Sequence, residues 1–139
     1  MIEEELAEAV TEAAAAIGTG IADYSVSPVM GGAVVGGGQP RGRHHYIVEC
    51  TRAVSESAEI EAFAVRLDAC LQRLNDDYRE LRHRDAGLLP PVLEFAPPGS
   101  FAVWMKRRGR AGGQNKVPRI IHDAALFADL RSFLAAGAG

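Results

Sequence analysis

At 139 residues, with 47% apolar and 24% charged side chains, the chain has the size and composition of one soluble globular domain spanning 1–139. Its net charge of −3 gives no overall attraction to a polyanion, and no apolar run approaches the roughly 20 residues that a membrane span needs. Two cysteines are too few for a disulfide scaffold, and the acidic start lacks the positive charge of a secretory leader, so a cytoplasmic location is expected.

Glu3, Glu4 and Glu5 suit the positive end of a helix dipole. Ile2, Leu6, Val10, Ala13 and Ile17 follow at spacings of three and four and predict an amphipathic helix, ended by Gly18 and Gly20. Ala22, Tyr24 and Val26 alternate with Asp23, Ser25 and Ser27, the period of a half-buried strand, which Pro28 blunts. The stretch from Met30 through 31–43 is glycine-rich and reads as a loop between strands. No Gly-Lys-Ser/Thr follows to make it a phosphate cradle. Residues 45–50 are rich in β-formers and predict the second strand. Ser55 and Glu56 open a long helix in which Ile60, Phe63, Leu67, Leu71, Leu74, Tyr78 and Leu81 step by three or four. Its expected end is Asp85-Ala86-Gly87. Val92, Leu93 and Phe95 predict a third strand, Pro97-Pro98-Gly99 a turn, and 101–106 a fourth strand hairpinned to the third. A basic loop follows, and Ile120, Ile121, Ala124, Phe127, Leu130 and Leu134 carry a final helical stripe. The order is α-β-β-α-β-β-α. The fold class is α+β, a small four-stranded antiparallel or mixed sheet with helices packed on it.

Most chemistry-bearing residues read as structure. Neither cysteine lies near a histidine at ligand spacing, so His44, His45, His83 and His122 read as surface groups and no metal site is expected. Cys50 and Cys70 read as small buried apolar side chains rather than nucleophiles. Asp76 and Asp77, beside Arg79 and Arg82, read as solvated helix pairs. The stretch 106–119 is different. Lys106, Arg107, Arg108, Arg110, Lys116 and Arg119 are six cations with no acid among them. Gly109, Gly112 and Gly113 let the backbone approach a ligand closely. The segment reads either as a solvated basic turn or as a mobile loop that meets an anion from outside the domain. Arg-Gly stretches also bind nucleic acid, but this one is short and its aromatic neighbours, Phe101 and Trp104, are few, which argues against that partner.

Three motifs stand in order along the chain. The first is Leu67-Asp68, Leu71, Asn75 and Tyr78, with arginine after it. The second is Gly99-Ser100-Phe101 leading to Trp104. The third is Gly113-Gln114-Asn115-Lys116-Val117-Pro118-Arg119. On these the chain resembles the C-terminal domain of the auxin-responsive Gretchen Hagen family, the acyl acid–amido synthetases of the adenylate-forming superfamily. The stretch 31–43 matches nothing in the family pattern.

The resemblance implies a concrete chemistry. Such enzymes use ATP and magnesium to convert a carboxylic acid to an acyl-adenylate, then pass the acyl group to an amine, usually an amino acid. A large N-terminal domain holds ATP and the acid, and the small C-terminal domain swings over it as a lid. By motif position, Lys116 is the catalytic lysine that closes on the adenylate, and Gln114 and Arg119 hold the loop or touch phosphate. A cation brought in by domain closure suits the negative charge that builds on the α-phosphate, and lysine supplies it as a point charge. Pro118 would stiffen the loop as it enters the final helix. Asn75 and Tyr78 read as helix packing.

The ATP-binding domain has no counterpart in this chain. The implied partner is an adenylating N-terminal domain, in cis or as a separate chain, which would hold ATP and magnesium. The chain alone is then expected to bind no cofactor and to catalyse no ATP–pyrophosphate exchange. Its substrates would be a small-molecule acid and an amine, with no membrane partner. A lid face without its partner leaves a homodimer open. The competing readings are a stand-alone, non-catalytic module for a protein or anionic partner and a small nucleic-acid binder.

Overall fold

The computed structural model describes residues 2–29, 42–83, 87–108 and 117–136. Its elements are α1 (Glu3–Ala16), β1 (Ile21–Val29), β2 (Arg43–Cys50), α2 (Ser57–Leu74), α3 (Asp76–His83), β3 (Val92–Ala96), α4 (Ser100–Arg107) and α5 (Ala124–Ala135). The three strands form one mixed sheet in the order β1-β2-β3, with β1 antiparallel and β3 parallel to β2. A parallel neighbour needs a crossover connection, and α2 with α3 provides it. The class is α+β.

Helices cover both faces of the sheet, and β2 shows why. Its side chains alternate between faces, yet all from Tyr46 to Cys50 are buried. Tyr46, Val48 and Cys50 enter a core with Leu6 and Val10 of α1 and Phe63, Leu67 and Leu71 of α2. Ile47 enters a second core with Phe101 and Trp104 of α4 and Phe127 and Leu130 of α5. The alanines at 9, 13 and 14 are fully buried and give α1 a narrow apolar face. Both cysteines are free and buried, Cys70 on the apolar side of α2, as expected.

The sheet has three strands among the described residues, not the four expected, because 101–106 is helical. Phe101, Trp104 and Met105 are buried, while Ala102, Val103 and Lys106 are exposed. That is a helix face, not an alternation. Gly99 turns the chain with φ +92°, a left-handed conformation that favours glycine. The Glu49 carboxylate then accepts the Gly99 and Phe101 N–H groups at 2.9 and 2.8 Å, satisfying donors that a helix start leaves open. The predicted order α-β-β-α-β-β-α therefore gives way to the eight elements above.

Two further expectations are corrected. The long helix breaks at Asn75, which has extended backbone (φ −138°, ψ 113°) and whose Oδ1 accepts the Tyr78 N–H at 2.8 Å. Asn75 thus ends α2 and caps α3. The expected end of that helix falls partly at 84–86, outside the described residues. Ile120 and Ile121 are extended rather than helical. The Val26 N–H donates to the Arg119 carbonyl at 2.7 Å and the Ile121 N–H to the Val26 carbonyl at 2.8 Å, so this short stretch covers the free edge of β1 in parallel. The last helix starts only at Ala124, where the Asp123 carboxylate accepts the Ala125 and Leu126 N–H groups. Pro118 therefore leads into this short extended stretch, not into a helix.

The glycine-rich stretch lies outside the described residues over 30–41, while Gly42 and Arg43 lead into and begin β2. Two histidines depart from the surface reading. His45 is buried, edge-on to Phe127 and hydrogen-bonded to Glu94 at 2.9 Å, and His44 lies half-buried near Tyr46 and Tyr78. Among the described residues, no helix is long and apolar enough to cross a membrane.

Candidate functional site

The basic loop has two described feet. One is the C-terminal end of α4, with Lys106, Arg107 and Arg108; the other is 117–121 along β1. Lys116 and Gln114, between them, lie outside the described residues, as do Gly113 and Asn115. Arg119 lies within them.

The second foot is held firmly. The Ser25 hydroxyl donates to the Pro118 carbonyl at 2.6 Å, beside the two backbone bonds from Val26 and Ile121. The Arg119 guanidinium forms an ion pair with Asp23, donates to the Tyr24 carbonyl at 3.3 Å and lies 4.7 Å over the Tyr24 ring. Burial draws the guanidinium pKa down and the Glu3 carboxylate opposes this, but arginine stays cationic throughout the physiological range. Arg119 is thus committed to β1, three side-chain attachments working on one residue.

The first foot is fixed from two directions. Glu49 of β2 holds the start of α4, as described above. Near its other end, the Trp104 indole N–H donates to Asp129 of α5 at 2.9 Å. Ser100 closes the preceding turn through a hydroxyl bond to the Pro97 carbonyl at 2.6 Å. The Gly99-Ser100-Phe101…Trp104 motif therefore aims α4, and with it the start of the loop.

The motif of the long helix makes the joint between α2 and α3. Asp68 accepts the Tyr78 hydroxyl at 2.5 Å, the Arg82 guanidinium at 2.8 and 2.9 Å, and the Gln72 amide at 3.1 Å. Arg82 also donates to the Leu88 carbonyl at 3.1 Å. Burial alone would raise the Asp68 carboxyl pKa, but the bonds from Arg82 and Tyr78, the Arg82 charge and the Gln72 bond outweigh it and hold the pKa below the usual range. Burial, reinforced by that carboxylate, pushes the Tyr78 hydroxyl far up. The Asn75 amide N–H reaches Glu5 of α1 at 3.0 Å, which ties the joint to the first helix. This is the helix packing expected for Asn75 and Tyr78, now with its partners.

Three acids with organising roles, Glu49 and Asp129 at α4 and Asp68 at the α2–α3 joint, are not evident as such from sequence patterning. Glu49 carries the clearest signal, a single acid inside the apolar run 46–50. A charge at such a position requires a buried partner, here the amides of a helix start. Among the described residues, no group of three or more His, Cys, Asp or Glu could hold a metal.

The family model described as the GH3 family C-terminal domain matches residues 4–125. Two solved structures share the fold. One, a GH3.15 acyl acid amido synthetase, has 19% identity and a TM-score of 0.72 over 95% of this chain and 23% of its own. The other, AtGH3.15 acyl acid amido synthetase in complex with 2,4-DB, has 18% identity and a TM-score of 0.69 over 94% of this chain and 23% of its own. At these identities the likeness is one of fold. The chain spans 23% of the length of the solved proteins it matches. No curated protein sequence matches it.

Proposed function

The chain belongs to the GH3 family as its C-terminal domain, and we propose that it acts as the lid of an ATP-dependent acyl acid amido synthetase. The reaction would activate a carboxylic acid as its adenylate and pass the acyl group to an amine. The observation that carries this reading is the family match over residues 4–125, which spans all three motifs.

In this reading Lys116 brings a positive charge to the reacting phosphate when the domain closes. Such a charge accelerates the step because it meets negative charge that exists only in the transition state, in a site from which water has been expelled. A lysine on a loop does this reproducibly only if the loop's feet are fixed. The bonds of Pro118 and Arg119 to β1, and of α4 to Glu49 and Asp129, support that requirement. Of the two roles open to Arg119, holding the loop is favoured, because touching phosphate would require it to leave Asp23 and Tyr24. Gln114 is then the loop residue proposed for phosphate contact. ATP and magnesium are assigned to the adenylating N-terminal domain, in cis or as a separate chain, in a cytoplasmic enzyme.

The test is ATP–pyrophosphate exchange by this domain together with its ATP-binding domain. Lys116→Ala should slow exchange by about 10²–10³-fold, the usual cost of one transition-state donor, with an unchanged melting point. Full exchange in that variant would remove Lys116 from the mechanism. Exchange by the 139-residue chain alone would overturn the lid reading.

A further inference from the structure

Most described arginines are ion-paired, as Arg52 is with Glu59 and Arg131 with Glu94. Arg107 and Arg108, in a chain of net charge −3, have no carboxylate partner among the described residues. Each guanidinium lies instead over an aromatic ring, Arg107 over Phe133 at 5.1 Å and Arg108 over Trp104 at 4.8 Å. A ring beneath a guanidinium uses none of its N–H groups, which lie in the guanidinium plane; one Arg108 N–H donates to the Met105 sulfur at 3.9 Å, and the others remain available to an acceptor.

These two stacks border a cleft of about 300 Å³ between α4 and α5. That is the lower end of the range for small-ligand sites. Ser132 lines the cleft, and its hydroxyl has no hydrogen-bond partner among the described residues. Asp129 lines it too, with one carboxylate oxygen already taken by the Trp104 indole. Cations at a helix C-terminus are ordinarily explained by the helix dipole, worth about 0.3–1 kcal/mol. That explanation requires neither the ring-held geometry nor a cleft with an unused hydroxyl.

We propose that the cleft bounded by Arg107, Arg108 and Ser132 binds a phosphoryl group. The two guanidiniums outweigh the Asp129 carboxylate, so the cleft favours an anion, and the three acceptor oxygens of a phosphoryl group suffice for two guanidinium donors and one hydroxyl. A carboxylate has only two oxygens and would leave one of these three donors without an acceptor. The proposal does not depend on the adenylating reaction.

The chain's single tryptophan is Trp104, which lies beneath Arg108 and reports on the cleft. The full chain is titrated with inorganic phosphate and with inorganic pyrophosphate, followed by Trp104 fluorescence and calorimetry. A short single-stranded oligonucleotide is titrated in parallel. Saturable binding of phosphate or pyrophosphate is expected with Kd of about 1 mM or tighter. Arg107→Gln and Arg108→Gln should each weaken it by about tenfold, the scale of one charge-assisted bond, and Ser132→Ala by less. Lys106→Gln, which is outside the cleft, should leave it unchanged.

If Arg108→Gln alters the melting point by loosening Trp104, Arg107→Gln carries the test, since its guanidinium lies over Phe133. Absence of saturation by either anion at about 10 mM overturns the proposal. So does an equal response to chloride at matched ionic strength, because that is screening. Oligonucleotide binding without saturation by either small anion would also overturn it, in favour of an extended nucleic-acid surface.

Discussion

Replacing Asp68 by alanine should destabilise the domain more than an ordinary surface charge deletion. The side chains of Asp68 and Arg82 are each only 16% exposed, and Tyr78 is 3% exposed. The variant leaves a mostly buried guanidinium and a buried phenol without their acceptor. Breaking a buried pair from one side costs about 3–5 kcal/mol. Residual exposure, and the bond that Arg82 keeps to the Leu88 carbonyl, place the expected loss at the lower end, about 3 kcal/mol. Domains are typically stable by about 5–15 kcal/mol, so the loss is a large fraction of the whole. In thermal unfolding the midpoint should fall by about 10 °C.

The pH dependence follows from the sign of the shift. The Asp68 pKa is lower in the folded chain than in the unfolded one. Its contribution is therefore fully present above the unfolded value of about 3.9 and is lost as pH falls through the folded value. Urea unfolding from pH 7 downward should show a constant gap between wild type and Asp68→Ala until about pH 4, and a shrinking gap below it. A loss under about 1 kcal/mol, or a gap that does not narrow in acid, would refute the reading of Asp68 as the ionised centre of the α2–α3 joint.

Glu49→Gln keeps the shape of the side chain but replaces one carboxylate acceptor with an amide donor facing a helix N-terminus. A loss of about 2 kcal/mol is expected in urea unfolding, with a changed near-ultraviolet signal from Trp104; an unchanged midpoint would mean that other groups satisfy the start of α4. Arg119→Ala removes an ion pair and a ring contact that are partly exposed, so the stability loss should be modest, about 1 kcal/mol. Its sharper consequence is faster amide exchange at Val26 and Ile121 than in the wild type. Unchanged exchange there would show that Arg119 does not hold the loop's foot.

Much of the architecture was legible because its periods were long. The stripe from Ile60 to Leu81 crosses six helical turns' worth of chain without a competing pattern, and 45–50 has no helical reading. The break at Asn75 preserves the stripe, which is why periodicity alone ran through it. Asn75 and Tyr78 stood out within a motif, but Asp68's convergence with Tyr78 and Arg82 depends on α3 folding back beside α2. The basic loop was conspicuous by charge. Its anchorage was not, because Ser25, Asp23 and Tyr24 lie more than 90 residues away in the chain.

The sequence by itself determined the α+β class, the three principal helical stripes, the strands at β1, β2 and β3 and the family, because these rest on local period and motif. Tertiary structure alone decided the state of 101–106 and of 120–121. Both are short apolar runs that satisfy helix and strand patterns equally well. Their conformation is chosen by where their amide and carbonyl groups find partners. For α4 that partner is a carboxylate 52 residues upstream; for Ile121 it is the open edge of β1. Backbone hydrogen-bonding groups must be satisfied wherever they are buried, and only the folded chain brings such distant partners together.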